Sequence, residues 1–340
     1  MKAVVLTPDR KIALEDRPVR EPGRGEILIA SEYCGICGTD LHAADLDLFA
    51  PPVTIGHEFS GVIAAIGHGV TGWNIGDRVT VNPNGNTCGV CEACRTSRTN
   101  LCKTAVFDNG LGVRRDGGMA EFATVPAVHL HRLPDSVDSK RGAWTEPLAV
   151  AIRAVRGSGI RLGDSAVVIG GGPIGLLTVQ LLRRAGAARI DVVEPSGFRG
   201  DVAMSIGADA VYTPATLAEA VACGDFRPVD RVYECSGNPT AVQTAITLLS
   251  PGGTVQLIGV AAVPVAFSAM DALTKEITIS ANFIYAEEFD QAIELLSRDA
   301  VDVISLTSTV LTLDQHEAAF AALRRPDSTI KALIKTGTGD

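Results

Sequence analysis

Several absences bound what this chain can do. No run of apolar residues reaches the length of a membrane span. There is no cluster of Lys or Arg, and the net charge is -9, which argues against a nucleic-acid partner and against an anionic membrane surface. Simple solubility accounts for the charge. The opening residues, Met1 to Pro8, meet Asp9 and Arg10 too soon for a secretory signal and read as a first strand. The expected location is therefore cytoplasmic. Internal repeats and low-complexity tracts are missing as well.

What is present favours two domains: 340 residues, 46% of them hydrophobic. Up to about residue 145 the chain has short apolar runs rich in Gly, Pro, Val and Thr, such as Glu26–Ser31, Phe59–Ile66, Asp77–Val81 and Glu121–Val125. These predict an irregular β-rich domain. After Glu146-Pro147 the texture changes. Ala166–Ile169, Ile190–Val193, Ala210–Tyr212, Arg231–Cys235, Thr254–Ile258 and Ile277–Ser280 read as six strands, with helical stretches such as Ile174–Ala185 and Thr240–Leu249 between most of them. Continuous apolar strands with helical crossovers imply a parallel sheet covered on both faces. An amphipathic stretch, Glu287–Leu296, begins a return to more mixed sequence.

Of eight cysteines, four fall in Cys88-x-x-Cys91-x-x-Cys94-x7-Cys102. Four thiolates at this spacing can close a tetrahedral zinc site with no open position. An iron–sulfur cluster and a nucleic-acid-binding zinc ribbon compete with that reading. The spacing departs from the bacterial ferredoxin run, and the acidic charge opposes the ribbon. The role expected is structural, pinning a lobe of otherwise irregular loop.

A second group has the ligand types of a catalytic zinc. Cys37 and His57 alone would pass for a buried thiol and a core histidine. Glu58 adjoins His57, however, and Glu146 stands where the two textures meet. Thiolate, imidazole and carboxylate with a position left open suit a catalytic metal. Thr39 and His42 follow Cys37 closely enough to carry a proton outward. Cys34, Cys223 and Cys235 read as ordinary buried thiols.

The third motif is Gly170-Gly-Gly172-Pro173-Ile174-Gly175, after a strand and opening a helix. Gly170 permits the tight turn, Gly172 lets backbone approach a pyrophosphate and Gly175 lets the helix pack close to the sheet. Glu194 ends the next strand, where a carboxylate accepts ribose hydroxyls and repels a 2′-phosphate, so NAD is expected over NADP. Arg199 either flanks the ribose, binds a phosphate, or is a solvated residue at a helix start.

With these residues together, the chain resembles the zinc-dependent medium-chain dehydrogenases of the alcohol/polyol type over nearly its whole length. Gly56-His-Glu-Phe-Ser-Gly61, the four-cysteine spacing, Gly76-Asp-Arg-Val79, Asp116-Gly-Gly-Met-Ala-Glu121, Glu146-Pro-Leu148, Glu234-Cys-Ser-Gly237 and Gly252–Gly259 are similar to family landmarks. The resemblance implies an α/β chain. A GroES-like β-rich catalytic domain (about 1–147 and 286–340, with a structural zinc lobe at about 84–104) is joined to a Rossmann doubly wound parallel six-stranded sheet (about 148–285). It implies two zinc ions per subunit, one catalytic and one structural. Cys37 and His57 bind the first, with Glu58 or Glu146 as the third ligand. Cofactor contacts at Pro173, Ile174, Ile258, Gly259 and Val260 are implied too.

The expected activity is hydride transfer between NAD and a secondary alcohol of polyol, cyclitol or sugar-like type, with Thr39 and His42 as the proton relay. A vicinal-diol or amino-alcohol substrate, as in the butanediol or threonine dehydrogenase branches, is the nearest alternative. A zinc-free quinone or enoyl reductase and a non-enzymatic zinc protein are the others. The family also implies a homodimer or homotetramer joined through the Rossmann sheets, with Thr254–Ile258 and Ala261–Phe267 at the contact. One departure stands out: Ala43–Ile55, which in relatives helps line the substrate pocket, is short.

Overall fold

A computed structural model describes residues 1–261, 263–325 and 327–337. Three sheets organise the described residues. The smallest joins Lys2–Leu6, Ile12–Asp16 and Val53–Thr54. The seven-stranded sheet runs Thr307–Thr312, Lys331–Lys335, Glu26–Gly35, Glu58–Ile66, Arg78–Val81, Leu130–Arg132, with Phe122–Pro126 also paired to Glu26–Gly35. Two of its strands therefore come from the far end of the chain. The sequence pattern did not predict them.

The third sheet has six parallel strands in the order Ala210–Tyr212, Arg189–Val193, Ser165–Ile169, Val229–Glu234, Leu249–Leu257, Thr278–Ala281. Each overlaps an expected strand. Successive side chains point to opposite faces, and both faces are filled. Ala166, Val168, Ile190 and Val192 join one core, packed under the helices Thr145–Gly157, Pro173–Arg184 and Phe289–Ser297. Val167, Ile169, Val193, Val232 and Val255 join the other, under Ala241–Leu248. Burial on both faces is why the inner strand Ser165–Ile169 is almost wholly apolar, whereas the edge strands Ala210–Tyr212 and Thr278–Ala281 are half-buried and largely exposed. The strand order reverses next to Ser165–Ile169, so the glycine turn that follows it lies at a topological switch point.

Two expectations need correction. The strand Leu249–Leu257, which holds all but the last residue of Thr254–Ile258, is paired on both sides and cannot extend the sheet into a second subunit; the edge strands are Ala210–Tyr212 and Thr278–Ala281. Residue 262, within the stretch Ala261–Phe267, lies outside the described residues. Cys223 is exposed and Cys235 half-buried, whereas Cys34 is buried. Cys223 ends a helix whose only buried residue is Leu217, which explains its exposure.

Candidate metal and dinucleotide sites

Antiparallel pairing places Gly35 opposite Glu58 on one side and Leu333 on the other. The chain then leaves the strand through Ile36, and Cys37 caps the short helix Gly38–Leu41. The Asp40 carboxylate accepts from the Cys37 backbone N–H at 2.9 Å, an acid three residues past the cap closing on the cap itself. Its other oxygen, Oδ1, lies 3.6 Å from His57 Nδ1, and neither buried atom has a hydrogen-bond partner. One fully buried acid thus fixes the backbone of Cys37 and faces the ring of His57.

Ligand atoms of Cys37, His57 and Glu58 all lie within 4.8 Å of one another. Burial pushes the His57 imidazole down, but Asp40 and Cys37 outweigh it and hold it well above the usual range. Glu58 is paired with Lys331, and each side chain is 2% exposed. Burial alone would lower the Lys331 ammonium; Glu58 reverses that and raises it. Gly35 makes room for the pair: a Cβ there would stand 2.1 Å from Glu58 Oε2 and 3.0 Å from Lys331 Cε. Thr39 Oγ1 lies 3.6 Å from Cys37 Sγ, and His42 is exposed at the end of the same helix.

Glu146, buried at the start of the helix Thr145–Gly157, does not join that group of three. Burial lifts its carboxyl to about 7, and its side chain bonds to Tyr285. The Tyr285 hydroxyl also receives Asn84 Nδ2 at 3.2 Å. Beyond Asn84 and Tyr285 opens a polar cavity of about 200 Å³. Lys331, Asp40, Tyr285 and Asn84 were not singled out from the sequence. Only Asp40 had a local signal, as the acid of a capping box.

The cysteines Cys88, Cys91, Cys94 and Cys102 form the second group. Cys88 Sγ to Cys94 Sγ is 3.9 Å and Cys91 Sγ to Cys94 Sγ is 3.5 Å. Four sulfurs about 2.3 Å from one zinc would be about 3.8 Å apart, so the donor set and its spacing fit that ion. N–H groups of Val90 and Cys91 lower the Cys88 thiol to about 6, while burial raises Cys94 to about 12.

At the dinucleotide motif, Gly170 has φ 103° and Gly172 caps the helix Pro173–Arg184. A Cβ on Gly172 would meet nothing within 4 Å, whereas one on Gly175 would lie 1.9 Å from the Gly170 carbonyl. The first is open to an approaching phosphate at a helix N-terminus, and the second is a packing contact. Glu194, 4% exposed, accepts from Gly171 N–H at 2.6 Å and Ser196 N–H at 2.9 Å. The Arg199 guanidinium donates to the Thr329 carbonyl, with Nη2 at 2.8 Å. Backbone N–H groups of Ile258 and Gly259 donate to the Glu234 carbonyl at 2.9 and 2.8 Å, and Val260 is 83% exposed beyond them.

Two family models match the chain: "Alcohol dehydrogenase GroES-like domain" over residues 23–135 and "Zinc-binding dehydrogenase" over residues 173–298. The chain is 33% identical to the Aspergillus clavatus protein named "Probable D-xylulose reductase A", covering 97% of this chain and 95% of that one. It is 34% identical to a sorbitol dehydrogenase of Halalkalibacterium halodurans, covering 98% and 99%. A zinc-binding dehydrogenase from Sinorhizobium meliloti 1021, solved with NADP, superposes with a TM-score of 0.91 at 33% identity, covering 98% of both chains. Among the described residues no helix is long and apolar enough to cross a membrane.

Proposed function

Because the chain belongs to the zinc-binding dehydrogenase family with an alcohol dehydrogenase GroES-like domain, we propose that this oxidoreductase passes a hydride between NAD and a secondary alcohol of a polyol. The observation that carries the reading is the meeting of Cys37, His57 and Glu58 within 4.8 Å in a chain that also has an open glycine turn at a helix N-terminus. The relatives named for xylulose and sorbitol support the polyol class.

Residues 1–147 and 286–340 are proposed as the catalytic domain, and 148–285 as the cofactor domain. The pairing of Thr307–Thr312 and Lys331–Lys335 into the N-terminal sheet supports that division. Two zinc ions per subunit are proposed. The four cysteines would hold the structural one. Cys37, His57 and Glu58 would hold the catalytic one, with Glu146 close by on Tyr285. When bound, the catalytic zinc supplies Lewis-acid chemistry at an alcohol or carbonyl oxygen. NAD, whose phosphates Gly170–Gly175 would hold, would supply the hydride acceptor.

The protein's own residues hold and move the proton. Asp40 fixes the Cys37 backbone and faces His57 Nδ1, which leaves Nε2 for the metal. Thr39 Oγ1 takes the proton of the substrate hydroxyl, since a hydroxyl can accept one hydrogen bond while donating another. His42, exposed three residues on, delivers the proton to solvent. Lys331 keeps the Glu58 charge compensated in the absence of a cation.

A preference for NAD over NADP is proposed because Glu194 would put a carboxylate beside the ribose, while Arg199 is engaged by the Thr329 carbonyl. A homodimer or homotetramer is proposed through the edge strand Thr278–Ala281, near which Met270 and Leu273 are 67% and 71% exposed. The test is a screen of polyols, vicinal diols, cyclitols and threonine with NAD and with NADP, on metal-replete protein. Cys37→Ser should abolish turnover and leave NADH binding intact. Full activity in that variant after chelation would refute the metal's part.

A further inference from the structure

The turn between Lys2–Leu6 and Ile12–Asp16 contains a residue in a conformation its type avoids. Arg10 has φ 60°, in the left-handed region that is strained for a residue with a Cβ and open to glycine. Its side chain leaves the turn and reaches one segment. Nε donates to the Ala44 carbonyl at 2.6 Å, and Nη2 donates to Leu46 at 2.5 Å and Ala43 at 3.3 Å. Farther along, Arg114 Nη2 donates to the Asp47 carbonyl at 3.2 Å, and the Ala50 N–H donates to Val113 at 2.9 Å.

That segment is the short loop that follows His42. Two more hydrogen bonds run back to the end of the helix that carries Thr39: the N–H groups of Asp45 and Leu46 both donate to the His42 carbonyl, at 2.9 and 3.1 Å. Ala43 and Phe49 are buried, but Ala44, Asp45 and Asp47 are exposed. Phe49 joins the core and Leu46 and Leu48 pack against it, so apolar contacts hold the side chains of the loop while Arg10 holds its backbone carbonyls. A planar guanidinium can serve several carbonyls from one fixed position, and an ammonium on a flexible stem cannot do so equally well.

We infer that Arg10 is a positioning residue for the alcohol substrate. The inference rests on the dehydrogenase reading of the Cys37–His57–Glu58 site. Arg10 is not a catalytic residue. It fixes the backbone of Ala43–Leu46, the segment that leaves the helix bearing Thr39 and His42 and forms a wall beside them.

The experiment compares Arg10→Gly and Arg10→Lys with the wild type, zinc-replete and saturated with NAD. Glycine removes the clamp and relieves the positive φ, so thermal stability should hold. For the best polyol, KM should rise about tenfold in Arg10→Gly while kcat changes little, since misplacing a binding wall weakens substrate more than it alters chemistry. KM for a two-carbon alcohol, NADH affinity and zinc content should stay put, and Arg10→Lys should fall between. Backbone hydrogen exchange across residues 43–50 should quicken in Arg10→Gly, a readout that needs no substrate. Unchanged exchange, or an unchanged polyol KM, overturns the inference, as does a parallel loss for both alcohols and NADH. Wild-type protein inactive on every alcohol overturns the dehydrogenase reading, and the substrate role with it, whatever the exchange result.

Discussion

Lys331 and Glu58 form a buried ion pair across the strand that carries Gly35, although 273 residues separate them in sequence. Taking one member away strands the other charge in a dry site, which typically costs about 3–5 kcal/mol. Lys331→Met should lower the urea midpoint of metal-stripped protein accordingly, and Lys331→Arg should recover most of it. Adding zinc should shrink the deficit, because a bound cation then faces Glu58. Equal midpoints for wild type and Lys331→Met would show that the pair does not matter to stability.

The Glu194 carboxylate is spent partly on the protein, through Gly171 and Ser196. Glu194→Gln keeps its size and an acceptor oxygen but removes the charge that repels a 2′-phosphate. NADH affinity should fall and NADPH affinity should rise, narrowing their ratio by about tenfold, or roughly 1.4 kcal/mol. Fluorescence titration of both nucleotides measures it. An unaltered ratio would remove Glu194 from cofactor selection.

Cys91→Ser should cost each chain one metal ion and make residues 84–104 sensitive to proteolysis. The lobe has little of its own to pack: its small cluster is Cys102, Ala105 and Val106, with the other cysteines against it. Elemental analysis with timed trypsin digestion tests this. A variant retaining both metals would argue against the four-cysteine site.

His129 is fully buried, with Nε2 unpartnered and Nδ1 2.6 Å from the Asn82 carbonyl. Burial pushes its imidazole down to about 4. A histidine depressed in the folded state takes up its proton more readily when unfolded, near pH 6.5. Its neutral form therefore stabilises the fold above pH 6.5, and that contribution is lost as pH falls toward 4, about 3 kcal/mol in all. His129→Asn should show a flatter stability profile than wild type over this window. Parallel profiles would mean that His129 does not titrate as described.

The parts legible in the sequence were those encoded locally. The apolar stretch Ala166–Ile169 was legible because both of its faces are buried, and the five strands beside it were read from shorter apolar pieces between helical stretches. The glycine turn and the cysteine spacing are short-range geometry, and so is the proximity of His57 and Glu58. Lys331 had no such signal. A lysine at the start of Lys331–Lys335 looks like a strand-end solvating charge until pairing with Glu26–Gly35 sets it over Gly35. Tyr285 and Asn84 meet only through the fold, 201 residues apart. Glu146 lay in the right neighbourhood, but its partner, a tyrosine hydroxyl, carries no charge pattern to read.

The late position of Lys331 also sets an order of events during synthesis. At about 5–20 residues per second, the ribosome needs roughly 14–55 s after making Glu58 to make its partner. In that interval the parallel sheet, closed by Thr278–Ala281, can be made in full, while the metal-side sheet still lacks two strands and a counter-charge. A nascent chain stalled before Lys331 should therefore carry a formed parallel sheet beside an unfinished seven-stranded one.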